Sequence, residues 1–250
     1  MAADLLGMRL QHGSRNYKTH IGARFIWIDR LHLEGDHAGR DAEILKLYFM
    51  FKHLSDLRRT HPQAYAKSRK SIRKAPNELQ YFGARMETYV AASLARAEEN
   101  FKCRESPDYE ITNGNNKIYI ECGSANITGK TTDPIKKISL SVKAKCNKNY
   151  SNRNTALFFD ITNVISKCLG NEPENPSLAL RSSINSVIES NGYGSVLLLT
   201  YGINVNINEI FTNYIRIDSP EISRELLSFM NRNYGYNNTP SPINYYPDQG

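Results

Sequence analysis

The chain has 250 residues, 40% hydrophobic and 23% charged, with a formal net charge of +7. That length buries the core of one large domain, or of one domain with an appended subdomain. No apolar run approaches the roughly 20 residues that span a bilayer as a helix, so no membrane partner is expected, and the positive balance permits a polyanionic partner without proving one.

Met1–Arg9 lacks a basic segment followed by a long apolar one, so no secretory signal is expected. Ala23–Ile28 reads as a strand and Leu31–His37 as a turn region. His32 and His37 lie near Asp36, but nothing close by completes a tetrahedral metal set, and a surface loop is the reading. From Asp41, a plausible N-cap, Ile44, Leu45, Tyr48, Phe49, Phe51, Leu54 and Leu57 form the apolar face of a helix. His61-Pro62 then breaks it. Between Lys46 and Lys74 stand Lys46, Lys52, Arg58, Arg59, Lys67, Arg69, Lys70, Arg73 and Lys74 against Asp56 alone. Such an imbalance is steep for a merely solvated face and suits phosphate neutralisation.

Pro76-Asn77 opens another helix, with Leu79, Phe82, Met86, Val90 and Leu94 on one stripe and Gly83 and several alanines that would let it lie close to a sheet. Glu87 sits at the edge of that stripe, where a charge needs a partner, such as Arg85, or a metal. Asn100–Glu105 reads as a strand leading into a hairpin. Tyr109–Thr112 and Lys117–Cys122 are its β-prone runs, and Asn113-Gly114 is its turn signal. Asp108 enters the first strand and Glu121 leaves the second, so antiparallel pairing brings both carboxylates to one edge, within reach of a single hard divalent cation.

After a polar loop, Asp133-Pro134 is an N-cap and N1 pair for a helix running to about Lys148. Ala156–Thr162 and Ser195–Tyr201 read as buried strands, Leu178–Ser190 as a helix, Tyr214–Ile217 as a further strand, Pro220–Asn231 as a helix, and the tail from Tyr234 as irregular. Cys103, Cys122, Cys146 and Cys168 are widely spaced with no CxxC pair, which argues against zinc or iron–sulfur sites and reads as reduced thiols of a cytoplasmic protein. The organisation expected is a basic, mainly helical region over 1–76, an α/β core of a mixed sheet flanked by helices over 77–217, and a C-terminal helix and tail over 218–250.

This order, together with Pro107-Asp108 and Glu121-Cys122-Gly123, resembles the PD-(D/E)XK nuclease superfamily, the restriction-endonuclease-like fold. The resemblance covers about residues 77–162, extending toward 201. It implies a core of helix, three-strand meander, helix and fourth strand. It implies Mg²⁺ or Mn²⁺ held by Asp108 and Glu121, with Glu87 and a backbone carbonyl near Cys122 as further ligands. It implies hydrolysis of phosphodiester bonds in DNA, with a restriction or host-defence endonuclease as the setting; the basic segment, with Arg69, Lys70, Arg73 and Lys74, would then hold backbone phosphates. A homodimer is one arrangement compatible with it. RecB-like members carry a Gln and a Tyr on the helix after the signature; Cys146 and Tyr150 stand at those spacings. The chain departs from the family at its third signature position, where Gly123 replaces the lysine. Lys143 is the expected substitute, with Lys145 and Lys130 as alternatives. Without such a substitute, the chain reads as an inactive nucleic-acid-binding or interaction protein that keeps the fold.

Overall fold

The structure is a computed structural model that describes residues 2–8, 18–113, 116–125, 133–166, 176–204, 209–235 and 243–244. The chain divides into two compact units, one of Met1–Glu98, Gly202–Phe211 and Ile243–Gly250, the other of Glu99–Tyr201 and Thr212–Pro242.

The helices of the first unit are α1 (Ala2–Leu6), α2 (His20–Leu33), α3 (His37–Thr60), α4 (Pro62–Lys74) and α5 (Glu78–Arg96). Ala23–Ile28 is therefore helical, not a strand. Its aromatic and β-branched content suggested a strand, but the wider spacing is helical: Ile21 is buried, and Phe25 and Ile28 pack on the same core at i+4 and i+7. The Thr19 hydroxyl caps this helix by accepting from Gly22 N–H (3.2 Å). Helix α3 starts earlier than expected, because Asp36, not Asp41, is its cap and accepts from Gly39 N–H (2.9 Å). The break at His61-Pro62 falls where the sequence places it, with Pro62 at the first turn of α4. Asn77 caps α5 through Gln80 N–H (2.9 Å). Helix α5 packs against α3 and α4 around Leu47, Met50, Leu54, Ile72 and Phe82, whereas Leu79 in its first turn is exposed.

The second unit is built on a mixed sheet taken in chain order: β1 (Phe101–Cys103), β2 (Tyr109–Asn113), β3 (Asn116–Ser124), β4 (Thr155–Asp160), β5 (Ser195–Asn204) as far as Tyr201, and β6 (Glu209–Asp218) from Thr212 onward. The first three strands are an antiparallel meander, and β3, β4 and β5 are parallel. Parallel strands need crossovers, supplied between β3 and β4 by α6 (Pro134–Cys146), and between β4 and β5 by the short α7 (Thr162–Ser166) and α8 (Pro176–Asn191). Helices α6 and α8 cover one face, where Ile138, Val142, Leu157, Phe159, Ile184 and Leu198 form the core. Helix α9 (Arg224–Asn233), capped by Ser223, lies on the other, where Tyr234 meets the Phe158 ring edge-on (4.9 Å). With both faces covered, every residue of β4 is buried, as its unbroken apolar run requires.

The chain is thus an α/β protein with helices at its N-terminus and a helix-flanked mixed sheet. Among the described residues, no helix is long and apolar enough to cross a membrane.

Candidate active site

The hairpin forms in the register the sequence implies. Tyr109 pairs with Ile120 and Ile111 with Ile118, which sets Asp108, just before β2, beside Glu121 on β3. Asn113 pairs with Asn116, so the connection is Gly114-Asn115, which lies outside the described residues. Cys122 N–H donates to Asp108 Oδ2 (2.9 Å), tying the first carboxylate to the strand that carries the second.

Alternation along β3 puts Ile118, Ile120 and Cys122 on one face and Glu121 and Gly123 on the other, toward α6. Glu121 is 5% exposed. A carboxylate so deep needs a positive partner, and Lys145 provides it. Its Nζ donates to Glu121 Oε1 (2.5 Å) and to the Cys122 carbonyl (3.0 Å). Gly123 makes room for the Phe159 ring, and the lysine stem lies alongside. A Cβ at Gly123 would stand 2.6 Å from the Phe159 ring and 3.4 Å from Lys145 Cε, so Phe159 and the lysine stem occupy the space a side chain there would take.

Lys143, the first choice from sequence, is exposed on α6 and lines a cleft with Leu140 and Val187. The reason is helical phase. Lys145 lies seven residues after the fully buried Ile138 and three after Val142, on their side of the helix. Lys143 is about 160° away from Lys145 at 3.6 residues per turn. Cys146, three residues after Lys143, sits on the far flank of the stripe, in the apolar core. Burial pushes the Cys146 thiol up to about 11. Lys130 lies outside the described residues.

Burial works against the charge of Lys145, but its hydrogen bond to Glu121 and the charges of Glu121 and Asp108 outweigh that and raise its pKa. In this geometry Lys145 is the donor to Glu121 and to the Cys122 carbonyl. Tyr150 stands beside the same carboxylate, at the position the sequence singled out. Burial raises its phenol above the ordinary value, a hydrogen bond with Ser106 acts in the opposite sense, and the charge and hydrogen bond of Glu121 add to the rise. Ser106 and Tyr193 were not flagged by sequence; the Tyr193 hydroxyl donates to the Lys145 carbonyl (3.3 Å), holding the last turn of α6.

Glu87 belongs to the first unit, where its carboxylate meets Lys67 Nζ (3.3 Å) across α4 and α5. In the same unit Arg69, Lys70, Arg73 and Lys74 line one cavity.

The donors at the hairpin's edge, two carboxylates and the Cys122 carbonyl, are all oxygen, a set that fits Mg²⁺ or Mn²⁺. A carboxylate has about four lone-pair directions, so a hydrogen bond to one oxygen is compatible with ligation through the other. Among the described residues, no group of three or more His, Cys, Asp or Glu gathers at any point. A cation here would complete its shell with water, as Mg²⁺ commonly does. The chain matches no family model, no curated protein and no solved structure.

Proposed function

We propose that the protein is a metal-dependent nuclease of the restriction-endonuclease-like kind that hydrolyses phosphodiester bonds in DNA. The observation that carries the reading is the reach of Lys145 from α6 to Glu121 over Gly123, which sets an ammonium beside Asp108 and Glu121 in a chain that lacks the signature lysine. The antiparallel meander, crossover helix and parallel fourth strand give the same element order as the family the sequence resembles.

Asp108, Glu121 and the Cys122 carbonyl would hold the cation. When bound, Mg²⁺ supplies Lewis-acid polarisation of the scissile phosphate and acidifies water. The protein's own groups do the rest. Lys145, which reaches this edge as a hydrogen-bond donor, would orient the attacking water and offset charge developing on the phosphoryl oxygens. Tyr150 braces Glu121, and the Asp108–Cys122 bond fixes the distance between the two strands that carry the acids. Host defence against foreign DNA is a setting the family resemblance suggests.

A second reading follows from the same ion pair. Lys145 and Glu121 satisfy each other, so the site is electrostatically closed without any cation, as in a nucleic-acid-binding protein that has lost catalysis. Mn²⁺ titration separates the two, together with cleavage assays on Asp108→Asn and Lys145→Met. A nuclease binds the metal and cuts DNA, Asp108→Asn abolishes cutting, and Lys145→Met slows it by on the order of 10² to 10³. A wild type that neither binds Mn²⁺ nor cuts DNA refutes the nuclease reading.

A further inference from the structure

Arg69, Lys70, Arg73 and Lys74 recur at i, i+1, i+4 and i+5 and so share one side of α4. They line a single cavity of about 340 Å³, with Met8, Tyr65 and Ala66 as its apolar wall. Arg69 is held in place: its Nε donates to the Leu6 carbonyl (2.9 Å). Gly7, at φ +60°, lets the chain lie against that guanidinium, where a Cβ would overlap Nη2. Tyr65 is fixed likewise, its hydroxyl donating to the Leu5 carbonyl (2.6 Å).

Among the described residues, no carboxylate pairs with any of these four cations. The nearby acids are engaged elsewhere: Asp4 with Arg58, Glu43 with Arg24 and Lys46, Asp56 with Arg96, Glu87 with Lys67. The sequence between Met8 and Lys18 contains no Asp or Glu. Cations in the last turn favour a helix C-terminus, which accounts for Arg73 and Lys74; Arg69 and Lys70 lie a turn earlier, where that effect has faded. Arg69 is half-buried and Lys70, Arg73 and Lys74 are exposed, and four neighbouring positive charges on one side of a helix attract an anion.

The size and charge of the cavity select that anion. Its volume is at the small end of the roughly 300–1,000 Å³ of ligand pockets. Duplex DNA spreads its charge at one per about 1.7 Å along its axis, so a pocket this small meets only a phosphodiester or two. A phosphate monoester already carries about −1.5 to −2, and each added phosphoryl group brings about one more charge. We propose that the pocket binds a nucleoside di- or triphosphate. The polyphosphate lies among the four cations, with Arg69 as the preset bidentate donor, and the sugar or base rests on Met8, Tyr65 and Ala66. The site lies in the first unit and does not depend on the nuclease reading.

Calorimetric titration of the full chain with ATP, ADP, AMP and inorganic phosphate tests this, without divalent metal and at low salt. ATP is expected to bind at least tenfold more tightly than AMP. The triple variant Lys70→Ala/Arg73→Ala/Lys74→Ala, which spares the anchored Arg69, should lose at least tenfold in ATP affinity. Lys70→Glu alone should weaken ATP more than AMP, and serves if the triple variant fails to fold. Asp108→Asn should bind ATP as the wild type does, whatever its effect on cleavage. The proposal is overturned if ATP binds no more tightly than AMP, if Lys70→Glu binds ATP unchanged, or if a short duplex displaces ATP as well per phosphate as ADP does.

Discussion

Replacing Lys145 by methionine keeps most of the side chain's bulk and removes its charge from a site where Glu121 is nearly inaccessible. The lysine side chain is 32% exposed and the glutamate 6%. Breaking a fully buried pair from one side costs about 3–5 kcal/mol, and a fully exposed pair contributes about 0–1 kcal/mol. A lysine one-third open to water lies between, so the expected loss of stability is about 2 kcal/mol. For a chain of this size that lowers Tm by about 4–8 °C. The catalytic effect should be larger: loss of one preorganised donor to developing charge costs on the order of 10² to 10³ in rate. The assay is Mg²⁺-dependent cleavage of linear and circular DNA at a temperature where both proteins are folded, with Mn²⁺ binding measured in parallel. Binding of Mn²⁺ should persist, because the carboxylates remain and the competing ammonium has gone. Lys143→Met, on the exposed side of α6, should leave both stability and cleavage within error of the wild type. If Lys145→Met cleaves at the wild-type rate while folded, the assignment of Lys145 to the missing signature role is wrong, and if Lys143→Met is the variant that fails, the side chains are misassigned.

Asp108→Asn should abolish cleavage and leave DNA binding intact in a gel-shift assay, since an amide is a poor Mg²⁺ ligand but its oxygen still accepts from Cys122 N–H; retained cleavage would show that the hairpin edge is not catalytic. Gly123→Ala should destabilise the protein by about 1–3 kcal/mol in urea unfolding, because its Cβ meets the Phe159 ring at 2.6 Å in a closed core, and Gly123→Lys should for the same reason fail to rescue Lys145→Met. Glu110, nearly inaccessible on β2, has its pKa lowered by the hydrogen bond from Lys117, against the opposing effect of burial and with help from Arg104. Its folded pKa is below 4.5, so its stabilisation is present above pH 4.5 and is lost as pH falls through the lower folded value; acid unfolding of Lys117→Met should begin at higher pH than that of the wild type. Lys145 has the opposite sign: its raised pKa gives stability that is complete below pH 10.5 and is lost as pH rises through the folded value.

Sequence by itself determined the hairpin and its two acids. The alternation of Ile118 and Ile120 against Glu121 and the β-prone run from Tyr109 fix the pairing, and antiparallel geometry then places Asp108 beside Glu121 with no reference to the rest of the chain. The Asp133-Pro134 start of α6 and the Pro62 break between α3 and α4 were legible for the same reason, since caps and proline act within a turn of themselves. Helix α2 was not, because its strand-like run of Phe25 to Ile28 is locally ambiguous and only packing on a core shared with Leu47 and Met50 decides its period. The choice of lysine was decided the same way. Lys143 and Lys145 are alike in sequence, and which one meets Glu121 depends on the rotation of α6 about its axis, set by Ile138 and Val142 seating among Leu157, Phe159 and Ile184. In sequence Gly123 is a missing lysine; in the tertiary structure the Phe159 ring takes the place of its side chain, and a lysine 22 positions later reaches Glu121 beside it. A strand's register is a contact between near neighbours, whereas a side chain's arrival from another element depends on how a whole core packs, and no local pattern encodes that.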